Sequence, residues 1–386
     1  MKRSSDRILT SHVGSLPRPA DLLELYKSGA SDDELAKKLR SATADVVQRQ
    51  LDAGIDIVND GEFGKPMDDD VEFGAWGSYI FGRLGGYEMQ PVNEMELLLE
   101  TAEGLAFPEY YKTGAGASSS DPDRPIMLGS SVGPITYARP DLVQRDVDNF
   151  KAALPADKVH DGFITSLAAG GEFYLPGSFY PSADDEAVAV AEALRVEYQA
   201  IVDAGLIVQI DNPALADAYF FEFAKDSNLD NYRKWAQRHV ELVNHSLEGI
   251  PSDRVRCHMC WGSWFGPHVA DLPLKDGIEF LLQINADLYS VEAANVRHEH
   301  EWQVWKDVDL GGKIVMPGVV SHKTTIVEHP ELVASRIVQY ANVVGKENVI
   351  AGTDCGMGGR IHPEIAWAKL EVLSEGARLA SEQLWS

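Results

Sequence analysis

The sequence predicts an α/β protein in which residues 1–386 form a single (β/α)8 TIM barrel with a long early insertion. Short apolar segments typical of buried parallel strands alternate with amphipathic segments of helical length. Polar side chains recur where these strands end, and in such a barrel all carboxyl ends of the strands meet on one face, where active sites lie. No Gly-x-Gly-x-x-Gly follows the first strand, which disfavours the alternative, an open doubly wound sheet that binds a dinucleotide.

The beginning of the chain supplies two strands with a helix between them. Residues 8–11 predict a short strand that runs into a proline-containing loop. Ser31 and Glu34 have the spacing of a capping box, which predicts the start of a helix, and Gly54 predicts its end. Residues 55–58 predict the second strand, and acidic residues follow it directly.

Residues 63–125 interrupt this alternation. The segment is first rich in glycine and aromatic residues and then in serine, aspartate and glycine. Connections of this length are usually functional covers or subdomains, so we interpret the segment as an insertion or lid over one end of the barrel. Its aromatic residues fit a substrate lid, and they fit equally well a small satellite core that packs on itself.

The alternation resumes at residue 126 and continues to a C-terminal helix. Candidate strands begin near residues 8, 55, 126, 162, 206, 256, 289, 313 and 349. A barrel needs eight strands, so one of the first strands or the strand near residue 162 is expected to lie outside the ring. The sequence has no repeat of fixed period and no low-complexity linker, which favours one domain.

Composition excludes several classes of function. The net charge of -26 argues against a nucleic-acid partner, because binding to phosphates depends on a high density of Lys and Arg. Three cysteines argue against a disulfide framework and favour a reducing compartment. No run approaches the roughly 20 apolar residues of a membrane helix, and the N-terminus has no apolar signal core. We therefore expect a cytoplasmic protein that does not bind a membrane.

A metal site is predicted around the segment 256–262. Strand side chains alternate between two faces, so His258 and Cys260 are expected on one side and Cys257 on the side of the helices. Glu292 follows a candidate strand, and Cys355 has the same position after the last one. Together His258, Cys260, Glu292 and Cys355 form a donor set that suits Zn²⁺, with both cysteines bound as thiolates.

This donor set favours one type of chemistry. A zinc ion bound by two thiolates and a carboxylate is electron-rich, so it activates water poorly but can hold a substrate thiol. The thiol pKa then falls from about 8.5, and the thiolate exists at neutral pH. Catalysis requires that Glu292, the weaker oxygen ligand, is displaced or that coordination expands. The alternative is a structural zinc in a non-catalytic barrel that binds a small molecule.

Five further residues are candidates for substrate binding or proton transfer. Glu62 and Asp211 end strands and could bind a cationic group such as an α-amino group; the alternative is a helix cap or salt bridge. Ser15, with Arg18 nearby, could bind a carboxylate. His322 could transfer a proton or be a plain surface histidine.

Asp354 is a sixth candidate, because it lies beside Cys355 at the end of the last strand. We expect it to orient a metal ligand such as His258, since carboxylates commonly accept a hydrogen bond from a ligating imidazole.

Several motifs resemble the C-terminal catalytic domain of cobalamin-independent methionine synthase. The matching segments are 12–17, 60–62, 209–214, 258–260, 317–319 and 354–356, together with the isolated Glu292. The resemblance spans residues 8–375 in the same order. It implies a (β/α)8 barrel, His258, Cys260, Glu292 and Cys355 as zinc ligands, and a histidine near His322 for proton transfer. It also implies that Ser15, Glu62 and Asp211 bind the amino-acid end of homocysteine.

The resemblance implies a zinc-dependent methyltransferase of methionine biosynthesis that acts as a 5-methyltetrahydropteroyltriglutamate–homocysteine methyltransferase does. Its partners would be a small-molecule thiol and an alkyl donor. This chain departs from the family pattern at Asn212, where an acid is usual, and at residues 322–324, where Ser-Pro-Arg is usual near the histidine. Full-length methionine synthases of this type are also about twice as long, with an additional N-terminal barrel.

Single-barrel relatives resemble epoxyalkane:coenzyme M transferase, in which a zinc-bound thiolate opens an epoxide. For such a thiol, Lys65, Lys323 and Arg360 are candidates that bind the anionic end. The sequence leaves open the identities of the alkyl donor and the thiol, the use of folate, the role of residues 63–125 and whether the chain forms a homo-oligomer.

Overall fold

The computed structural model describes residues 1–67, 75–114, 116–117, 125–155, 161–170, 174–175, 177–225 and 229–386. Ten strands and thirteen α-helices occur in these residues. The strands are β1 Leu9–Thr10, β2 Leu84–Val92, β3 Ile126–Tyr137, β4 Phe163–Leu167, β5 Tyr174–Leu175, β6 Ile207–Asp211, β7 Val255–Met259, β8 Leu288–Val291, β9 Ile314–Val320 and β10 Ile350–Thr353.

The helices connect these strands in the order expected of an α/β protein. They are α1 Ala20–Ser28, α2 Asp32–Asp52, α3 Ala75–Arg83, α4 Glu94–Glu100, α5 Ala102–Ala106, α6 Pro108–Tyr111, α7 Pro140–Ala153, α8 Ala183–Asp203, α9 Ala214–Ala218, α10 Asp230–Ser246, α11 Leu274–Gln283, α12 Pro330–Val344 and α13 Pro363–Leu384. Shorter helical turns of other types cover Tyr219–Phe223, Ser252–Arg254, Glu299–Asp307 and Lys346–Asn348. Among the helices that the structure describes, none has the length and apolarity needed to cross a bilayer.

A curled sheet of seven parallel strands forms the centre of the molecule, in the order β1-β10-β9-β8-β7-β6-β4. The register brings Asp211 opposite His258 and His258 opposite Ser290. Parallel pairing puts the carboxyl ends of neighbouring strands at one edge of the sheet. The polar residues that follow these strands therefore lie close together.

The segment 55–59 lies between the two edge strands of this sheet. Ile57 N donates a hydrogen bond to Thr10 O at 3.0 Å, and Phe163 N donates one to Val58 O at 3.2 Å. The predicted regular strand is replaced here by a single parallel bridge from Asn59 to Phe163. One reason is that the Asp56 side chain, not a backbone carbonyl, accepts the hydrogen bond from Thr10 N at 2.9 Å.

The candidate strand outside the seven-stranded sheet is β3. It pairs antiparallel with β2 in a second sheet of order β2-β3-β5. Exposed and buried residues are mixed along β3, whereas every residue of β4 is buried. Strands buried on both faces are typical of a parallel sheet covered by helices. The mixed burial along β3 is instead typical of an antiparallel strand with one face in solvent. The strand near residue 162 is therefore inside the main sheet.

The early insertion includes α3, β2 and α4–α6, while residues 68–74, 115 and 118–124 lie outside the described residues. Buried ion pairs fix it to the flank of the main sheet. Arg83 at the end of α3 donates to Asp146 of α7 at 2.5 Å and lies 3.3 Å from Glu197 of α8. The hydroxyls of Tyr79 and Tyr137 also donate to Glu197. Removing one partner of such a buried pair typically costs about 3–5 kcal/mol, so the attachment is firm.

The local signals that define α2 are as predicted. Ser31 caps the helix by accepting a hydrogen bond from Glu34 N, and the Glu34 carboxylate accepts one from Ser31 N in return. Gly54 follows the helix with a φ of 80°, a conformation that glycine adopts without steric cost. The amphipathic segments that the sequence predicts between later strands include α7, α8 and α10.

Candidate metal centre and substrate pocket

The two faces of the main sheet carry different apolar clusters, and this separation positions the candidate ligands. One cluster combines strand residues such as Cys257 and Tyr289 with residues of the surrounding helices. The other cluster contains no helix residue and lies on the inner side of the curled sheet. Arg256 and His258 share this inner side, because Arg256 donates to Met316 Sδ of the inner cluster at 3.2 Å. Cys257 therefore faces the helices, as its position in the strand predicts.

Three soft donors converge at the carboxyl edge of the sheet, and we call them the sulfur group: His258, Cys260 and Cys355. Their Nδ1 or Nε2 and Sγ atoms all lie within 4.8 Å of one another. His258 Nδ1 contacts Ser290 Oγ at 3.1 Å, whereas His258 Nε2 is buried without a hydrogen-bond partner in the described residues. A buried imidazole nitrogen without a partner is costly unless something binds it. One imidazole and two sulfur atoms are donors that zinc prefers.

The pKa values of the two cysteine thiols are shifted in opposite directions. A hydrogen bond from the Cys260 thiol holds the pKa of Cys355 well below its ordinary value, although burial opposes this, and His258 lowers it further. The pKa of Cys260 is correspondingly raised well above its ordinary value by the hydrogen bond to Cys355 and by burial. Cys355 is thus prepared as a thiolate, and a metal ion could replace the remaining proton.

Three harder donors form a second group beside the first, and we call them the carboxylate group: Glu292, His322 and Asp354. Their donor atoms also lie within 4.8 Å of one another. The structure therefore brings Glu292 together with His322 and Asp354, while His258, Cys260 and Cys355 form the other set. Both ring nitrogens of His322 are buried without a hydrogen-bond partner among the described residues. Burial lowers the pKa of His322 to about 4.

Three of the four carboxylate oxygens in this second group have hydrogen-bond partners, whereas Asp354 Oδ2 is buried without one in the described residues. Glu292 accepts hydrogen bonds from Trp261 N at 3.0 Å and from Asn295 Nδ2 at 2.9 Å. Asp354 Oδ1 accepts from Ala293 N at 2.7 Å and from Ala294 N at 2.8 Å. Burial and the nearby Glu292 raise the pKa of Asp354 to about 8. Burial acts in the same direction on Glu292, but Lys323 and His322 prevail and lower its pKa.

The partner of His258 differs from the sequence expectation. Asp354 was expected to orient this imidazole, but the hydrogen bond of His258 Nδ1 is to Ser290 Oγ. Asp354 uses Oδ1 for the backbone of the turn after β8 instead. A signal for Ser290 was present in the sequence, since a serine in an otherwise apolar strand needs a hydrogen-bond partner when it is buried.

A partly open pocket lies near the sulfur group. It is lined by Ser15, Arg18, Glu62, Lys65, Met67, Trp76, Gly358 and Arg360. The turn after Cys355 connects the pocket to the sulfur group, because Met357 N and Gly358 N donate to Ser15 O at 2.8 and 3.0 Å. Burial lowers the pKa of Arg360 to about 10, and the nearby Cys355 and Cys260 oppose this shift. The guanidinium therefore lies close to both cysteines.

Glu62 is held in an unusual backbone conformation at the wall of this pocket. Its φ is 61°, which is rare outside glycine and recurs at functional sites. Its carboxylate accepts from Thr165 Oγ1 at 2.8 Å and lies 3.7 Å from Lys65 Nζ. Gly14 leaves room for this carboxylate, since a Cβ at residue 14 would lie 2.2 Å from Glu62 Oε1.

Asp211 lies between the pocket and the sulfur group. Gln209 Nε2 donates to its Oδ1 at 2.7 Å. Burial raises the pKa of Asp211 to about 7; His258 lowers it and Glu62 raises it. The carboxylate therefore interacts electrostatically with one residue of each site.

Arg18 lies on the opposite wall of the pocket but uses its guanidinium for the backbone. It donates to Glu62 O at 2.7 Å and to Lys65 O at 3.0 Å, and so fixes the turn that carries both side chains. Lys65 Nζ lies 4.0 Å above the Trp76 ring, which connects the insertion to this turn.

Sequence reasoning missed Asp217 on α9. Burial and the nearby Asp271 raise its pKa to about 8, while Lys323 opposes the shift and Glu292 and Cys355 add to it. Its Oδ1 is buried without a hydrogen-bond partner in the described residues. An acid six positions after Asp211 gives no signal by itself, because its closeness to the site depends on the tight turn between β6 and α9.

The fold and the site together define an α/β protein with a parallel sheet whose carboxyl edge carries a nitrogen and sulfur donor set. The chain belongs to the family described as cobalamin-independent synthase, catalytic domain, which residues 127–378 match. The resemblance predicted from the motifs is thereby confirmed.

Relatives match over nearly their whole length. The methionine synthase of Sulfurisphaera tokodaii is 27% identical over 388 residues, which cover 97% of this chain and 93% of the relative. The 2-hydroxypropyl-CoM lyase of Xanthobacter autotrophicus is 24% identical over 411 residues, which cover 98% of this chain and 96% of the relative. The named relatives are therefore of similar size to this chain and not twice as long.

A solved structure shares the fold. It is a B12-independent methionine synthase from Shewanella sp. W3-18-1 in complex with selenomethionine, with a TM-score of 0.67 and 20% identity over 98% of this chain and 99% of that chain. At this identity, the likeness concerns the fold alone.

Proposed function

We propose that this protein is a zinc-dependent thiol alkyltransferase that transfers a methyl group to homocysteine or a similar small thiol. The observation that carries the proposal is the sulfur group, in which two sulfurs and an unpartnered buried imidazole nitrogen converge within 4.8 Å. His258, Cys260 and Cys355 would hold the ion, and Glu292 is the additional oxygen ligand that the sequence predicts. Zinc bound there would lower the pKa of a substrate thiol and keep it as a thiolate.

The pocket supports a substrate with an amino-acid end. We propose that Glu62 and Asp211 bind the α-ammonium group, because both carboxylates are buried, Glu62 lines the pocket and Asp211 interacts electrostatically with Glu62. Ser15 and Arg360 would bind the carboxylate at the same end. Holding this end fixes the sulfur of the thiol at the sulfur group, and such positioning is a large part of catalysis by proximity.

His322 would move the proton in the reaction. The S–H proton of the incoming thiol passes to a ring nitrogen of His322, and the thiolate attacks the methyl carbon. A new sulfur–carbon bond forms as the bond from that carbon to the donor breaks. His322 then gives the proton to the leaving atom of the donor, so that atoms and charge balance. The buried ring nitrogens of His322, which have no partner in the described residues, support this role.

We propose a closed (β/α)8 barrel for the whole domain 1–386, with the segment 55–59 as the eighth member of the ring. Its hydrogen bonds to Thr10 and Phe163 on either side support the closure. Residues 63–125 would form the insertion over the pocket, and Trp76 in the pocket wall supports this. The three cysteines are free, which supports the predicted cytoplasmic, reducing location.

The second candidate is epoxide opening by a thiol with an anionic tail. One observation favours it: cationic side chains outnumber anionic ones in the pocket wall, although the chain has a net charge of -26. Lys65 and Arg360 would bind a sulfonate in place of an amino-acid carboxylate. The relationship to the 2-hydroxypropyl-CoM lyase supports the same alternative.

Zinc content and X-ray absorption at the zinc edge test both candidates. The purified protein is measured alone, with homocysteine and with 2-mercaptoethanesulfonate. We expect two sulfur neighbours at the zinc without a thiol and three with the true substrate, which also selects between the candidates. A zinc shell that neither thiol changes would contradict the transferase proposal and favour a structural zinc. Absence of zinc binding would contradict the metal site itself.

A further inference from the structure

A buried chain of charged and imidazole side chains leads away from the carboxylate group, and we call it the ion chain. In order, its members are Glu292, Lys323, His268, Asp271, His298 and Glu301. Lys323 Nζ lies 3.7 Å from Glu292 Oε2 and 2.9 Å from His268 Nε2. The side chains of the whole chain are at most 13% exposed, so water screens these charges weakly.

The outer part of the ion chain fixes His268. Its Nδ1 lies 3.0 Å from Asp271 Oδ2, and the same oxygen lies 2.9 Å from His298 Nε2. His298 Nδ1 is 2.8 Å from Glu301 Oε2, so both its nitrogens face carboxylates and donate. Burial opposes the charged form of His298, but Asp271 and Glu301 prevail and raise its pKa to about 9. Asp271 thus accepts from two imidazoles.

His268 is the nearest neighbour of the Lys323 ammonium in the ion chain. Its Nδ1 faces Asp271, and its Nε2 lies 2.9 Å from Lys323 Nζ and 3.2 Å from the Trp264 carbonyl oxygen. Trp264 stacks on the His268 ring at 4.6 Å and keeps the imidazole in place. The ammonium therefore contacts His268 at hydrogen-bond distance and lies 3.7 Å from Glu292 Oε2, beyond hydrogen-bond distance.

A second connection joins the ion chain to Glu292. Trp261 stacks on His298 with ring centroids 3.8 Å apart, and Trp261 N donates to Glu292 Oε1 at 3.0 Å. His298 thus supports two neighbours of Glu292. It supports the Lys323 ammonium through Asp271 and His268, and it supports the Trp261 N–H group by stacking on the Trp261 ring. Both arrangements hold the Glu292 carboxylate with His322 and Asp354, outside the sulfur group.

We infer that Lys323 is a positioning residue that competes with a metal ion for the Glu292 carboxylate, and that the ion chain holds its ammonium in place for this competition. The inference rests on the proposed metal site of the sulfur group. A carboxylate that faces a fixed ammonium is a weaker ligand, because binding the metal means giving up this attraction. His258, Cys260 and Cys355 then form the tight part of the site, and Glu292 becomes the ligand that a substrate thiol displaces.

The test measures zinc affinity by competition with a chromophoric chelator, with zinc alone and no substrate. Lys323→Met removes the charge but keeps most of the side-chain volume. We expect it to tighten zinc binding about tenfold, because Glu292 is released to the metal; the tenfold change corresponds to about 1.4 kcal/mol. Lys323→Arg keeps the charge and should bind zinc as the wild type does. In a Glu292→Gln background, Lys323→Met should have almost no effect.

Matched controls separate this role from a merely structural one. Lys313→Met is the same substitution just before the other end of β9, where the ammonium contacts Tyr289 Oη at 2.6 Å, and it should leave zinc affinity unchanged. Asp271→Asn weakens the contacts that hold His268 and, through it, Lys323. This variant should also tighten zinc binding, but by less than Lys323→Met does. A loss of packing alone would weaken binding in these variants.

Three results would overturn the inference. If the wild type binds zinc and Lys323→Met binds it equally or more weakly, Lys323 does not compete for Glu292. If Lys323→Met tightens binding equally in the Glu292→Gln background, its effect does not pass through this carboxylate. If the wild type does not bind zinc at all, the proposed function fails, and this inference fails with it.

Discussion

The sulfur group and the carboxylate group are built from the same part of the fold but are prepared for different tasks. Each has three buried or nearly buried donors after strands of one sheet, within 4.8 Å of one another. In the sulfur group, the protein uses His258 Nδ1 for Ser290 and leaves Nε2 without a partner in the described residues. In the carboxylate group, Glu292 and Asp354 accept hydrogen bonds from four N–H groups.

This difference concerns both oxygens of Glu292 and Oδ1 of Asp354; Asp354 Oδ2 and both His322 nitrogens resemble His258 Nε2 in having no partner in the described residues. A donor atom that already accepts a hydrogen bond from the backbone must lose it to coordinate an ion, whereas an unpartnered buried atom gains a partner. Nearness of three potential ligands is therefore insufficient to identify a metal site. The donor types distinguish the two groups: the sulfur group offers the imidazole and sulfur donors that zinc prefers, whereas backbone and side-chain N–H groups already bind three of the four carboxylate oxygens in the other.

The largest expected effect comes from removing a sulfur donor. Cys355→Ser and Cys260→Ser should each weaken zinc binding by more than about a hundredfold, which exceeds the usual effect of losing a supporting partner. Metal content of the purified variants, measured by mass spectrometry, checks this. Cys257→Ser is the matched control, because Cys257 is buried on the helix side of β7 and should leave metal content unchanged. Full metal content in Cys355→Ser would show that the sulfur group is not the site.

A large effect on catalysis, without loss of metal, is expected in the carboxylate group. His322→Gln removes the proposed proton carrier and should lower kcat by roughly a hundredfold to a thousandfold, the range of general acid–base catalysis. Steady-state kinetics with the thiol selected by X-ray absorption measures this, together with metal content. An unchanged kcat would contradict proton transfer by His322. A loss of zinc together with the loss of kcat would contradict the proposal that the sulfur group binds the metal while the carboxylate group transfers the proton.

The ion chain behind the carboxylate group should make stability depend on pH. The pKa of His298 is raised from 6.5 to about 9 in the folded protein. Its contribution to the free energy of unfolding is therefore complete below about pH 6.5 and is lost as the pH rises through about 9; the full difference is roughly 3 kcal/mol. Urea unfolding of the wild type and of His298→Gln at pH 6 and pH 10 should show the gap between them narrowing.

The exposed neighbour His300 provides the control for this pH dependence. His300→Gln should unfold as the wild type does at both values of pH, because this side chain is in solvent. A gap between wild type and His298→Gln that stays constant from pH 6 to pH 10 would contradict the assigned imidazolium between Asp271 and Glu301.

The smallest effect is expected from the partner that orients His258. Ser290→Ala removes the hydrogen bond to Nδ1 and should weaken zinc binding about tenfold, the lower end of the range for supporting partners. Ser166→Ala, at a buried serine of β4 that contacts Tyr79, is the control and should not change zinc affinity. Equal affinity of Ser290→Ala and wild type would mean that the imidazole orientation is fixed by packing alone.

Local signals in the sequence determined much of the fold and half of the candidate centre. The capping box at Ser31 and Glu34 produced α2, since both partners lie within one helical turn. Alternation along β7 predicted that Cys257 faces away from His258, because the period of two is a property of any extended strand. The alternation of strands and helices likewise predicted the parallel sheet and the common edge at which the polar residues meet.

Contacts between distant residues required the tertiary structure. The sequence named Glu292 beside the sulfur donors, but Trp261 N, Asn295 and Lys323 hold it with His322 and Asp354. The sequence offered nine strands, and only pairing with β2 showed that β3 lies outside the main sheet.

The physical reason is the range of the interactions. Helix caps and strand alternation are set by sterics and hydrogen bonds within a few residues, so they can be read along the chain. Asp354 accepts from Ala293 N, 61 positions away, and several distant backbone groups could have satisfied that carboxylate. Which of them does so depends on the packing of the whole domain. The sequence by itself therefore identified the candidate donor residues, whereas the tertiary structure determined which of these residues lie close to one another.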